Sequence, residues 1–302
     1  MSDAAATPSV RVRAIPAQAG LSWIRQALRA FGKQPGGFMG MFGMFLAVML
    51  VASLPVALLV PLADALHVNQ LVVAMLSLAL LPLLSLSFML STEAVTNDLR
   101  IRPSLFFAPL RASARARRSL VALGLTYFGI YVVAWYLGNG LDNGEALKWF
   151  TDRMIPPPPG TPPPALTTPL SDSARLVMGL KMAFVALGTI PLWHAPALVH
   201  WGRYGAAKAM FASVVALWRT RAAMLVFGLG WLALMFVVTS VVAVLELALG
   251  GSTLVLFIGL LVSWTLTALF YVTLWFGFVD TFDIRVATGF RTVMAADEPP
   301  AA

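Results

Sequence analysis

Six stretches of this 302-residue chain are strongly apolar and carry no charge through their centres. Each is about as long as the 20 or so residues that a helix needs to cross a bilayer. They fall at residues 38–62, 71–91, 119–137, 182–201, 222–247 and 253–279. The expected fold class is therefore all-α: a polytopic membrane protein with six transmembrane helices. Only 11% of the residues are charged, against about 25% in a soluble domain. Too few charges remain to solvate a globular surface, so lipid must be most of the solvent.

The basic residues set the orientation. Arg11, Arg13, Arg25, Arg29 and Lys33 precede the first run, and Arg100, Arg102, Arg111, Arg115, Arg117 and Arg118 separate the second from the third. Arg203, Lys208, Arg219 and Arg221 separate the fourth from the fifth, and Arg285 and Arg291 follow the sixth. All but four of the 21 basic residues thus share one side. Basic loops stay cytoplasmic, so both termini are expected in the cytoplasm of a bacterial inner membrane. The net charge of +8 reads as topology signal and headgroup contact. Nucleic acid is not an expected partner, because no basic stripe with interleaved aromatics forms a separate domain. The chain has no Cys, which excludes disulfides, thiolate metal sites and thiol nucleophiles.

Residues 1–16 read as a disordered cytoplasmic tail without the apolar region of a signal peptide. Residues 17–292 read as a single six-span domain, and 293–302 as a second disordered tail. Within the domain, 138–181 is expected to be a long extracytoplasmic loop. Its centre, Ile155-Pro-Pro-Pro-Pro-Gly-Thr-Pro-Pro-Pro164, predicts polyproline II, read as a stiff spacer in preference to a ligand for an aromatic groove. Trp193, Trp201 and Tyr204 read as an aromatic belt at the cytoplasmic end, and Tyr127, Tyr131, Trp135 and Tyr136 as one at the outer end.

Short amphipathic helices are expected at the cytoplasmic interface. Leu21, Ile24, Leu28 and Phe31 share one helical face, opposite Ser22, Arg25, Arg29 and Lys33. Met210, Phe211, Val214, Leu217 and Trp218 form a matching face, and Pro103-Ser104 opens a third such segment. Helices of this type lie in the interface with Arg and Lys toward anionic headgroups. Asp98-Leu99-Arg100 and Asp283-Ile284-Arg285 end the second and sixth runs in the same way. The spacing suggests a threefold repeat of helix pairs over about 21–100, 104–203 and 207–285.

Chemistry is sparse. Gly36 and Gly40, in Gly36-Gly37-Phe-Met-Gly40, read as a close-packing face and not as a phosphate loop, since no Lys-Ser/Thr follows. Lys181 and Glu246 are the charges nearest the hydrocarbon on the outer side, a candidate intramembrane polar pair. His194, His200, Asp280 and Asp283 share one membrane face, but a His spacing of six suits one helix poorly for metal, so no metal or cofactor is expected. Arg100, Arg102, Arg118, Arg219, Arg221 and Arg285 are candidate lipid-phosphate contacts. Ser240, Ser263, Thr265 and Thr267 are the only weak midplane polar groups seen for a transport path. No catalytic motif occurs.

Pro16-Ala17-Gln-Ala-Gly20-Leu-Ser-Trp23-Ile24, then Phe31-Gly-Lys33-Gln-Pro35, Ala195-Pro196-Ala-Leu-Val199 and Leu217-Trp218-Arg219 resemble an uncharacterised family of proteobacterial six-span inner-membrane proteins. The resemblance covers nearly all of the chain from Pro16 onward. A more distant similarity is to the membrane segment of some glycerophosphodiester phosphodiesterases; their catalytic barrel is absent here, so that activity does not carry over. The family supplies no site residues. The expectation is a non-enzymatic structural or accessory membrane component that binds anionic lipid. Its alternative is a small-solute or lipid transporter. A protein partner or a homo-oligomer is compatible with either.

Overall fold

The computed structural model describes residues 11–65, 75–154, 170–249 and 253–282. Among these the chain is helical, apart from linkers and one isolated antiparallel bridge between Val12 and Phe282. Helix α1 (Ala19–Lys33) turns at Gln34 into α2 (Pro35–Ala65). A 3-10 turn, Leu76–Leu80, leads into α3 (Leu81–Thr96), and α4 (Ser104–Phe107) runs into another, Ala108–Arg111. Then come α5 (Ala114–Asp142), α6 (Glu145–Met154) and α7 (Asp172–Thr189). The 3-10 turn Ile190–Leu192 separates α7 from α8 (Ala195–His200). Helices α9 (Ala206–Arg219), α10 (Arg221–Leu249) and α11 (Thr253–Thr281) complete the chain.

Six helical stretches among the described residues are long and apolar enough to span a membrane: Pro35–Ala52, Leu76–Thr96, Ala114–Asp142, Asp172–His200, Arg221–Leu249 and Phe257–Thr281. The second runs past the end of the apolar run 71–91, to Thr96, and so takes in Glu93. Nothing breaks the helix until Asn97 and Asp98, the latter at φ 55. The fourth begins at Asp172, N-capped by the Ser171 hydroxyl, which accepts from the Ala174 amide. Lys181 therefore lies inside a helix, and 138–181 is a loop only in part, since α5 runs to Asp142 and α6 follows it. The proline run itself falls outside the described residues, as do the tails 1–10 and 283–302. The segment 11–16, expected as tail, is held in place: the Arg13 amide donates to the Thr281 carbonyl at 2.9 Å beside the Val12–Phe282 bridge.

The core lies toward the arginine-bearing end of the bundle. Helix α3 is buried on every side from Leu84 to Val95. Helix α10 buries only Ala223, Phe227 and Trp231, all in its first half. Several aromatics read as membrane belts belong instead to this core. Trp193 meets Phe227 and Phe270 edge-on, at 6.1 and 5.7 Å between ring centroids. Trp201 packs on Trp275 at 5.0 Å. Tyr127 also packs against the core, while Tyr136 is exposed.

Close backbone approaches do not fall where the glycine pattern placed them. Gly36 and Gly40 face open space, because that side of α2 turns away from the bundle. The tight contacts are at Gly20, whose Cβ position is filled by the Ala223 carbonyl and the Phe227 amide of α10, and at Gly124 of α5, filled by the Ala79 carbonyl. Here the facing atoms are backbone and cannot rotate away. Gly124→Val should thus cost about 1–3 kcal/mol through overpacking. Gly40→Ala should be neutral or stabilise by up to about 1 kcal/mol, the difference in helix propensity. Thermal unfolding of the two variants in one detergent checks this; equal melting temperatures would contradict the packing at Gly124.

Candidate lipid-facing site

Short helices cover the polar ends of the spans, and side chains make each join. Gln34, between α1 and α2, uses both ends of its amide on the chain leaving α3. Its Nε2 donates to the Leu99 carbonyl at 2.8 Å, and its Oε1 accepts from the Ile101 amide at 2.9 Å. Beside it, Lys33 Nζ donates to Asp98 Oδ1 at 2.8 Å; this hydrogen bond, and then the lysine charge, hold the Asp98 carboxyl below its usual range. Asp98 thus pairs with the end of α1 and not with the nearby Arg100. The Trp23 indole N–H of α1 donates to Asp280 Oδ2 at 2.7 Å, near the end of α11. The Ser213 hydroxyl of α9 accepts from the His194 amide at 3.1 Å, an amide freed by the break between α7 and α8. A broken span is tolerated in lipid when a neighbour bonds the freed backbone in this way.

On α9 the docked face is small and the outward face large. Helix α9 buries Ala209, Ser213 and Ala216 and turns Phe211 and Trp218 outward, each 71% exposed. Helix α1 buries Trp23, Ile24, Ala27 and Ala30 and leaves Leu21 and Leu28 exposed. Of the face 21–24–28–31 read from the sequence, only Ile24 is buried. The basic residues border the outward faces. Arg100, Arg102, Arg118, Arg219 and Arg221 are all exposed, with the Arg221 guanidinium 5.3 Å from the Trp218 ring centroid. Lys208 sits 4.2 Å from the Tyr204 ring centroid. Arg285 lies outside the described residues. A polar cleft of about 580 Å³ opens at the start of α1, walled by Arg13, Gln18, Ser22, Arg25 and Asp280 among others.

Two constellations read from the sequence do not assemble. Lys181 does not meet Glu246: its Nζ donates to Asn139 Oδ1 at 3.1 Å and lies over the Trp135 ring. The reason is the packing order, since α7 rests on α5, while α10 rests on α1 and α11. The candidate metal ligands also part. The His194 ring is enclosed by Phe278 and Phe282, His200 packs on Trp201, and Asp280 is taken by Trp23. Asp283 lies outside the described residues. Among those described, no three His, Asp or Glu side chains come close enough to hold a metal. Neither His194 ring nitrogen has a hydrogen-bond partner among the described residues.

The largest group of buried polar side chains on one element sits on α3, a helix for which the sequence gave no polar role. Ser85, Ser87, Ser91, Thr92 and Glu93 are all buried. Ser91 and Thr92 donate to the carbonyls of Ser87 and Phe88, and Ser87 lies between the carbonyls of Leu83 and Phe106. Glu93 finds no cation or donor among the described residues and is 2% exposed. The available signal was the run Ser85-Leu-Ser87-Phe-Met-Leu-Ser91-Thr92-Glu93, whose hydroxyls ended the apolar stretch on paper. A second cavity, about 620 Å³, lies between α10 and α11 and takes Ser263, Thr267 and Glu246 into its wall. Ser240 and Thr265 are not part of that wall.

No protein-family model matches the sequence, and no solved structure matches it significantly. A probable inner membrane protein of Burkholderia thailandensis is 28% identical over 275 residues, covering 90% of this chain and 93% of the relative. With six apolar helices, this similarity makes the chain a multi-pass inner-membrane protein. The comparisons lend no support to the likeness with glycerophosphodiester phosphodiesterases.

The Trp23–Asp280 bond is a point where one substitution should loosen the site. Trp23→Phe keeps most of the ring and removes the N–H, leaving a carboxylate near a buried helix end without its donor. A hydrogen bond to a charged group is worth about 1.5–3 kcal/mol. The variant should release the segment before α1, read as faster tryptic cleavage after Arg11 and Arg13. Unchanged cleavage would mean that the Val12–Phe282 pairing holds the segment alone.

Proposed function

We propose that the protein is a non-enzymatic structural or accessory component of the inner membrane that binds anionic lipid at its cytoplasmic face, with both termini in the cytoplasm. The observation that carries this reading is the outward stripe of Phe211, Val214 and Trp218 on α9, bordered by Lys208, Arg219 and Arg221. A helix that docks through Ala and Ser and turns its largest apolar side chains outward is suited to the headgroup boundary, where those side chains enter lipid and the arginines meet phosphate. Leu21 and Leu28, beside Arg25 and Arg29 on α1, make a second such surface. The polar cleft at the start of α1 adds space for a headgroup between Arg25 and Ser22.

The same reading takes the chain as three copies of one unit: short helix, span, span. Two packing facts support it. The order recurs at α1–α2–α3, at α4–α5–α7/α8 and at α9–α10–α11. Each short helix also rests on the second span of the copy before it in cyclic order: α4 on α3, α9 on α8, and α1 on α11.

A transport role is the second reading. It is favoured by the cavity between α10 and α11, whose largely apolar wall suits a lipid better than a small polar solute.

Anionic-lipid binding is tested by extracting the protein from bilayers of phosphatidylethanolamine and phosphatidylglycerol and counting retained lipids by native mass spectrometry. A basic residue near an anionic surface is worth about 1 kcal/mol, so the triple variant Arg118→Gln, Arg219→Gln, Arg221→Gln should lose at least about tenfold in phosphatidylglycerol retention. Unchanged retention would overturn the reading. Orientation is tested on the Cys-free background with one cysteine at Ala302 or at Ser252. A membrane-impermeant maleimide should label the second in intact spheroplasts and the first only after lysis; the reverse pattern would invert the topology.

A further inference from the structure

Helices α10 and α11 are largely exposed in the half of the bundle away from the arginines. Beyond Trp231 no described residue of α10 is buried, and before Ala268 only Val255 of α11 is. The cleft between them has a volume of about 620 Å³, within the range of about 300–1,000 Å³ usual for ligand sites. Its wall is mainly aliphatic, with Val238, Val242, Ala243, Val262 and Leu266 on its two sides. Thr239 and Thr267 spend their hydroxyls on carbonyls of their own helices, Met235 and Ser263.

Besides the buried Trp231 indole N–H at the foot of the cleft, which lacks a partner among the described residues, two polar groups in its upper wall remain unspent. Glu246 is an exposed carboxylate at the mouth, and among the described residues no cation reaches it, because Lys181 is engaged by Asn139 and Trp135. The Ser263 hydroxyl likewise has no partner among the described residues. Gly259 faces Val242, with its Cβ position 3.7 Å from a Val242 methyl. In this antiparallel pair Ser263 therefore falls opposite Val238, eight residues or about 12 Å below Glu246 at 1.5 Å per residue. The cleft continues down α10 to Trp231, about 22 Å from Glu246 by the same rise, deeper than the roughly 15 Å of one leaflet's hydrocarbon.

We propose that this cleft holds one acyl chain of an amine-headed phospholipid, phosphatidylethanolamine, from the leaflet at the α10–α11 turn. The chain fills the aliphatic slot, the ammonium pairs with Glu246, and Ser263 donates to an ester carbonyl between them. A lipid with an anionic, cation-free head finds the same slot but a repelling carboxylate at its mouth. The inference stands on the α10–α11 geometry and needs neither the arginines nor the orientation proposed above.

The test uses the full-length protein, reconstituted in bilayers of equal phosphatidylethanolamine and phosphatidylglycerol, extracted mildly and analysed by native mass spectrometry. Glu246→Gln should lower phosphatidylethanolamine retention about fivefold, the worth of one exposed ion pair near 1 kcal/mol, and leave phosphatidylglycerol retention unchanged. Ala243→Phe should fill the slot and remove that retention. The arginine variants should do the opposite, lowering phosphatidylglycerol alone, so the two readings fail separately. Wild-type retention in Glu246→Gln, with native helicity by circular dichroism, overturns the proposal. So does equal loss of both lipids in that variant, which marks unspecific annular lipid. A dimer that Ala243→Phe dissolves would assign the cleft to a second copy and also overturns it. If Ala243→Phe does not fold, the exposed Glu246→Gln decides.

Discussion

Lipid offers no hydrogen bonds, and this constraint organises the whole protein. Every break in a span must be bonded from inside the molecule. The chain breaks its spans and linkers at defined points and brings a short helix to each. Ser213 of α9 meets the amide freed between α7 and α8. Gln34, at the end of α1, bonds both sides of Leu99–Ile101 where α3 exits. The Phe106 carbonyl of α4 lies 2.9 Å from the Ser87 hydroxyl of α3, and Trp23 of α1 reaches Asp280 near the end of α11. Remove these joins and the spans would still be apolar, but their broken ends would face hydrocarbon unpaired.

The joins also explain where the core lies. They gather at the arginine-bearing end, so the aromatic core of Trp23, Phe38, Phe88, Phe227 and Phe278 collects there. Helix α3 becomes the buried centre, and the hydroxyls of Ser87, Ser91 and Thr92 are tolerated because each bonds a carbonyl one turn back or on α4. At the opposite end no comparable hydrogen bond joins α10 to α11 among the described residues. Both helices are largely exposed there, and an apolar cleft lies between them. One end is thus a rigid packed platform with amphipathic helices at its rim. The other is an open slot with a carboxylate at its mouth.

Much of the architecture was legible in the chain. The runs of 20 or more apolar residues mark the spans, because length and hydropathy alone decide what can enter a bilayer. The residues 210–218 read as one helical face do fall in a single helix, α9. What went astray had one cause: burial in a membrane protein does not follow hydrophobicity. In lipid, Phe211 and Trp218 lose nothing by facing outward, while Ala209, Ser213 and Ala216 allow close packing. The sequence reading marked the large apolar residues of α9 as one face of an interfacial helix and gave no role to the small ones that dock it. For the same reason the polar face of α3 was passed over as the edge of a span, and Gly36 and Gly40 were given the close contact that belongs to Gly20 and Gly124.

The sequence by itself determined the solvent and the number of spans, since these depend on composition and on distances along the chain. Which span becomes the centre, which glycine touches backbone, and whether Lys181 meets Glu246 were decided only in the tertiary structure. Those outcomes depend on which helices become neighbours, and in a lipid solvent that choice is made by small-residue fit and a few polar joins between residues as much as 257 positions apart. Such pairings leave no periodic trace in a single chain.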